Sequence, residues 1–329
     1  MEFSRVQHPF KIRITPNLFR CLQEDILLRD GRLTAAASSI PLLSVLIHKS
    51  LLQNMADVQK QIQIGSFVAP APNWKDVKDG QINVSTIARF QPPYDYTTAT
   101  VTTFQLVDVG NTHQKTWRVE MQSQLSALDS TTLVVGTWAD SRLYQATIQW
   151  MVMPSSNTDF QSGNISIPFG GHIGRITFPK PFNSQPQVFY TFNKLDISNT
   201  WHVNMNVNTI TTSGFNYEVR SPPDAVLTSA GVSWVAFTGN LPEVGIYTVQ
   251  PVSTVQGQSS KGSIRFDKSY FNTPKVFTGL SKMYIGDECI RFELRVRNVT
   301  PAGMDWEVYT WSDTTVYELR LTFLVIGDV

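Results

Sequence analysis

Few of the residue types that carry out chemistry stand at spacings that would let them cooperate. Five histidines are scattered along the chain, and the two cysteines, Cys21 and Cys289, lie far apart, so no metal-ligand cluster forms. The run Gly170-Gly-His-Ile-Gly174 lacks the strand-to-helix setting of a phosphate-binding loop. No nucleophile elbow or paired-carboxylate pattern stands out, and no cofactor is implied. What remains is a set of aromatic and charged residues in suggestive places. Trp138 and Trp311 are each followed by polar residues, Ala-Asp-Ser-Arg and Ser-Asp-Thr-Thr, which puts them in loops and not mid-strand. Arg118 and Arg291 fall on the polar faces of alternating segments, where an ordinary solvated charge is the competing reading. Asp79 sits in Lys-Asp-Gly, a turn signal that alone accounts for it nearly as well.

The elements that position these residues repeat three times. Phe90, Phe178 and Phe266 each end a segment of β-branched or basic character and are 88 residues apart, twice. Behind each comes a Pro-containing loop and a strand-like run: Thr100 to Val107, Gln187 to Phe192, and Lys275 to Leu280. Three strictly alternating segments follow. Trp117, Val119 and Met121 oppose Arg118, Glu120 and Gln122; Trp201, Val203, Met205 and Val207 oppose His202, Asn204, Asn206 and Asn208; Ile290, Phe292, Leu294 and Val296 oppose Arg291, Glu293, Arg295 and Arg297. Period-two alternation means one buried and one wet face. Apolar runs containing Trp150, Trp234 and Phe323 close the three units. Short strands between Gly, Pro, Asn and Ser turns read as antiparallel sandwiches.

The expected fold is all-β: three tandem antiparallel β-sandwiches at 65–155, 156–241 and 242–329, in a pseudo-threefold arrangement, behind a helical segment at 1–64. In that segment Leu18 to Arg29 shows helical spacing with Gly31 as a C-cap. Leu42 to Gln61 carries Ile47, Leu51, Met55, Val58 and Ile62 every three to four residues. This is either a coiled-coil seam that would join copies of the chain into a homo-oligomer or an amphipathic helix lying on the sandwiches.

The segment from Cys289 to Val329 resembles the H-type lectin domain. It has an aliphatic residue, Arg291, an alternating strand, Asn298-Val-Thr-Pro-Ala-Gly303, then Tyr309-Thr-Trp311-Ser-Asp-Thr-Thr-Val-Tyr317 and a closing apolar strand. The resemblance extends over roughly Gln63 to Val329. It implies a six-stranded sandwich that assembles in threes, and glycan partners of the galactose and N-acetylgalactosamine type, bound between neighbouring units. The family pattern has Arg on the middle strand, Trp twenty residues later, Tyr six beyond that, and Asp eleven before the first-strand Phe. Arg291, Trp311 and Tyr317 match it in the third unit, with Ser312 where relatives often have His and Val255 where the Asp belongs. Arg118, Trp138 and Tyr144 match in the first, with Asp79 in place and Ala139 after the Trp. In the second, His202, Pro222, Thr228 and Ile167 stand instead, so that site looks lost while Ser213-Gly-Phe215 and Val232-Ser-Trp234 keep the fold.

These residue types suit a sugar. Asp accepts hydroxyl hydrogens, Arg donates a planar fork, and a Trp or Tyr face packs the C–H patch. Sites of this kind hold ligands at about −4 to −8 kcal/mol, and multivalency adds avidity. If each site takes Asp and Arg from one unit and Trp and Tyr from the next, one ring direction assembles Asp79, Arg118, Trp311 and Tyr317. The other assembles Arg291, Trp138 and Tyr144. Either gives one competent site per chain. A structural protein that uses the fold for packing is the competing function.

Composition bounds the rest. A 42% hydrophobic, 16% charged chain has material for real cores. A formal net charge of +1 offers no basic face for nucleic acid. Two isolated cysteines fit a reducing compartment, and Met1 to Lys11 has no apolar signal core. The longest apolar stretch, Ala35 to Ile47, is interrupted by Pro41 and too short to span a bilayer. A cytoplasmic or unconventionally secreted protein is the resulting expectation, with defence, adhesion and self-recognition fitting equally well.

Overall fold

The computed structural model describes residues 26–29, 32–35, 62–69, 82–91, 93–94, 98–111, 116–139, 141–154, 158–239, 241–286 and 289–327. The chain divides into two compact units, Met1–Val58 and Gln59–Val329.

In the first unit, β1 (Ile26–Arg29) and β2 (Arg32–Ala35) pair antiparallel, with Arg29 opposite Arg32. This corrects the expected helix over Leu18 to Arg29, whose last turn is a strand. The strands flank Asp30-Gly31, and Asp-Gly between strand-forming residues favours a two-residue hairpin turn over a helix cap. The proposed helix from Leu42 to Gln61 lies outside the described residues.

The second unit contains three sets of six strands. The first set is β3 (Gln63–Ala69), β4 (Ile82–Arg89), β5 (Thr98–Asn111), β6 (Thr116–Ala127), β7 (Ser130–Thr137) and β8 (Ser141–Pro154). The second is β9 (Phe160–Ile167), β10 (His172–Thr177), β11 (Gln187–Ser198), β12 (Trp201–Thr211), β13 (Gly214–Arg220) and β14 (Val226–Phe237). The third is β15 (Val244–Thr254), β16 (Ser259–Arg265), β17 (Lys275–Gly286), β18 (Cys289–Thr300), β19 (Gly303–Thr310) and β20 (Thr315–Ile326). The alternation read from sequence holds: Trp117, Val119 and Met121 are buried, as are Trp201, Val203 and Met205, and Ile290, Phe292 and Leu294.

No sheet belongs to one repeat. The orders are β16-β19-β18-β5-β8-β3, β4-β7-β6-β11-β14-β9 and β10-β13-β12-β17-β20-β15. Each joins the second, fourth and fifth strands of one repeat to the first, third and sixth of another. The joins are β6 with β11, β12 with β17, and β18 with β5, so repeat one pairs with two, two with three, and three with one. A closed ring of this kind leaves each repeat incomplete without both neighbours, which suits units too small to bury a sufficient core alone. The antiparallel strands expected from sequence thus form three six-stranded sheets, each shared between two units.

The third strands meet where the pseudo-threefold axis must run. Thr103 and Thr191 share a hydrogen bond of 2.8 Å between their hydroxyls, and a Cβ on Gly279 would lie 3.3 Å from that of Thr191. These three positions are 88 residues apart, as are Val101, Phe189 and Phe277, which belong to an apolar cluster with Ile62, Met151 and Leu324. The main core runs continuously through all three repeats. The Gly170-Gly171 pair serves the turn from β9 to β10. Gly171 has φ +95°, and a Cβ there would lie 2.4 Å from the Val219 carbonyl oxygen, so only glycine fits.

Candidate functional site

At each junction a third strand lies beside a neighbour's fourth strand, and one cross-strand pair recurs. Asp108 faces Arg291, Asp196 faces Arg118, and Tyr284 faces His202. The fourth and fifth strands then form a hairpin within their own repeat. Carrying the registers Glu120↔Gly136 and Glu293↔Tyr309 on by two residues sets Arg118 opposite Trp138 and Arg291 opposite Trp311. Each Trp opens a tight turn. Ser141 N–H donates to the Trp138 carbonyl at 3.3 Å, and Thr314 N–H to that of Trp311 at 3.4 Å. The second turn residues, Ala139 (φ 55°) and Ser312 (φ 58°), are left-handed. This conformation matches primed hairpin turns but strains a residue with a Cβ. Pro223 holds that position in the second repeat, where its ring forbids the same turn.

The turns also lock the arginine strand. Arg118 N–H donates to Ser141 Oγ at 2.9 Å, Ser141 Oγ donates to the Thr116 carbonyl at 3.0 Å, and Thr137 Oγ1 donates to the Arg118 carbonyl at 2.6 Å. In the third repeat Arg291 N–H donates to Thr314 Oγ1 at 3.1 Å, which donates to the Cys289 carbonyl at 2.7 Å. A bulge completes the layout. Between Asp108 and Val109 the β5–β8 register slips at Tyr144, and the same slips fall at Thr228 and Tyr317. Bulges re-aim side chains beside binding sites. Tyr144 lies over Gly110, where a Cβ would sit 2.7 Å from its ring and 3.3 Å from Cys289 Sγ. Tyr317 covers Gly286 in the same way.

The junction of repeats three and one is the most complete. Arg291 Nε donates to Asp108 Oδ1 at 3.2 Å, and its Nη1 donates to Asp313. The Trp311 indole N–H also favours the charged form of the Asp108 carboxylate. Arg291 and Asp108 are each 16% exposed, and Asp313 35%. Burial pushes the Asp108 carboxyl above its ordinary value, opposed by the Arg291 charge and the hydrogen bonds. Tyr144 stands on the other side of the Gly110–Cys289 pair, and Ser312 is exposed at the turn. At the junction of repeats one and two, Arg118 Nε lies 3.2 Å from Asp196 Oδ1, in an ion-pair contact whose geometry makes no hydrogen bond to that oxygen. Burial likewise pushes the Asp196 carboxyl upward, opposed by the Arg118 and Lys194 charges and by the Trp138 indole N–H. Lys194 lies over the Trp138 ring, 4.9 Å from its centroid, and pairs with Glu120 at 3.0 Å.

The junction of repeats two and three is packed differently. His202 stacks on Tyr284, with centroids 4.0 Å apart and planes at 10°, and Tyr284 meets Tyr317 at 4.6 Å. His202 Nδ1 lies 3.0 and 3.1 Å from the oxygens of Asp224, which occupies the place of Asp313.

Neither combination expected from sequence is assembled. Arg118 meets the Trp of its own repeat, not Trp311, because the two strands form one hairpin. Arg291 meets Trp311, with Tyr144 from the next repeat. Tyr317 stands at the junction that has lost Arg and Trp. Asp79 lies outside the described residues. Asp108 and Asp196 were not among the residues expected, although Leu106-Val-Asp108-Val and Leu195-Asp196-Ile each set one carboxylate in an apolar strand at a repeat-matched position. Nor were Asp224, Asp313 and Lys194. Among the described residues no group of three or more His, Cys, Asp or Glu is placed to hold a metal ion, and no helix is long and apolar enough to cross a membrane.

The family model of the H-type lectin domain matches residues 173–237 and 261–326. No curated protein and no solved structure matches the chain.

Proposed function

We propose that this chain, which carries H-type lectin domains at residues 173–237 and 261–326, binds galactose- or N-acetylgalactosamine-type glycans at the junction of its third and first repeats. Carbohydrate binding in general is what that domain family does; the sugar and the site are our reading. The observation that carries it is the constellation of Arg291 held between Asp108 and Asp313, with Trp311 beside it and Tyr144 across the junction.

Each group has a part. Arg291 spends Nε and Nη1 on the two carboxylates, which fixes the plane of its fork and leaves its remaining N–H groups for sugar hydroxyls. Asp313, a third exposed, has lone pairs for a second hydroxyl. Trp311 and Tyr144 offer apolar surface to the C–H face of the ring and keep water from those bonds. Such groups bind and orient a ligand; nothing in the set calls for a bond to be broken. A single site of this size gives weak affinity, so function would depend on clustered glycans.

The packing alternative has its own support at the junction of repeats two and three, where His202, Tyr284 and Tyr317 use their ring faces on one another. We assign that junction a structural part. A glycan array followed by titration with free sugars tests the proposal. Selective retention of terminal galactose or N-acetylgalactosamine glycans, lost in Trp311→Ala, is the expected result. Retention of no glycan by a folded protein would leave the packing reading for the whole molecule.

A further inference from the structure

The junction of repeats one and two retains Arg118, Trp138 and an aspartate, with Thr228 in the place of Tyr144, and it carries an additional side chain. Lys194 stands two residues before Asp196 on β11, so both side chains project from the same face of the strand. Its ammonium lies 4.9 Å from the centre of the Trp138 ring, while Nζ is held 3.0 Å from Glu120 Oε2. A cation over an indole face, fixed by a carboxylate, is a stable arrangement. It covers the aromatic surface on which a sugar ring would have to lie.

At the junction of repeats three and one the same two positions are used otherwise. Leu106 matches Lys194 in register and is buried, and Glu293, the match of Glu120, pairs with Arg295 on its own strand. No cation is brought to Trp311 from that position. Arg stands opposite Asp at both junctions; they differ further in Thr228, which holds the place of Tyr144, and in Tyr309, which stacks on Trp311 with centroids 5.9 Å apart where the matching residue is Gly136.

We propose that Lys194 is a built-in occupant that closes the junction of repeats one and two, making it a dormant copy of the site between repeats three and one. Its stem and ammonium substitute for the ligand on Trp138, and Glu120 keeps them there. The proposal rests on the lectin reading for what the opened site would bind, but not for the closure itself.

Fluorine NMR of protein labelled with 5-fluorotryptophan separates the two. The Trp138 and Trp311 resonances are assigned from Trp138→Phe and Trp311→Phe. In the first arm a soluble nitroxide reports which indole is open to solvent. In the native protein it broadens Trp311 more than Trp138. In Lys194→Ala, and in Lys194→Leu, which installs the residue of the matching position, broadening of Trp138 rises toward that of Trp311, and Trp311 is unchanged. Native Trp138 already as broadened as Trp311, or no gain in either variant, overturns the closure. In the second arm N-acetylgalactosamine shifts Trp311 alone in the native protein and both resonances in the variants. If Trp138 shifts in the native protein, or stays fixed in the variants while Trp311 moves, Lys194 is not what closes the site. If no resonance moves in any protein, the lectin reading fails, and the nitroxide arm still decides the closure.

Discussion

Replacing Arg291 with Met should destabilise the protein far more than replacing Asp108 with Asn, although the two form one ion pair. Arg291 neutralises two carboxylates, Asp108 and Asp313, inside a junction where it and Asp108 are each 16% exposed. Removing it strands both. Breaking a fully buried pair in this way costs about 3–5 kcal/mol, and the partial exposure here brings the expectation down to about 2–3 kcal/mol. For a unit of this size that lowers Tm by about 4–10 °C. Asp108→Asn removes an attraction and a desolvation cost together and keeps an acceptor for Arg291 Nε. The raised carboxyl shows that the desolvation is the larger effect, so the change should stay within about 1 kcal/mol. The pH dependence has a definite sign. Because the folded-state pKa of Asp108 lies above its unfolded value, protonation favours the folded chain. The carboxyl contributes most below the unfolded value and loses that contribution as pH rises through the folded one. The deficit of Arg291→Met should therefore shrink on acidification toward the carboxylate range. Thermal melts of the two single variants and the double variant, at neutral pH and at about pH 5, measure all of this. An Asp108→Asn deficit as large as that of Arg291→Met would refute the reasoning, since the pair would then be a net attraction that outweighs its desolvation.

Other consequences follow from the same geometry. Sugar binding that uses ionised Asp108 should weaken as pH falls through its raised pKa, at a higher pH than an ordinary carboxylate would require, and pH-dependent titration would show it. Gly279→Val places a Cβ 2.6 Å from Phe189 Cζ at the axis, and denaturant melts should show a loss of about 1–3 kcal/mol. Ser141→Ala deprives the Arg118 N–H of its acceptor and should cost about 1–2 kcal/mol by the same assay. Ala139→Gly relieves a left-handed φ of 55° and should stabilise the turn by about 1 kcal/mol.

Much of the fold can be read in the residues because strand alternation is a local signal. Trp117, Val119 and Met121 face inward whatever their neighbours are, and the 88-residue spacing of Phe90, Phe178 and Phe266 marks equivalent places in three repeats. Which strands share a sheet is not local. Nothing along the chain says that β5 pairs with β18, far away in sequence, and that pairing is what closes the ring. The site was half legible for the same reason. Arg118 with Trp138 is fixed by a hairpin register, and counting from the β6–β7 turn would have paired them. Asp108 and Asp196 come from other repeats and become partners only once the ring is closed. At the N-terminus, Leu18 to Arg29 has helical spacing, but Asp30-Gly31 carries a hairpin signal that a short window of apolar periodicity did not outweigh in the folded chain.

On the proposed reading, three unlike junctions in one closed ring leave one open sugar site. Calorimetric titration of the native chain with N-acetylgalactosamine, repeated on Trp311→Ala and Trp138→Ala, tests it most directly. A single site per chain is expected, abolished by Trp311→Ala and retained in Trp138→Ala. Two or more equivalent sites per chain, or binding that survives the loss of Trp311, would contradict it.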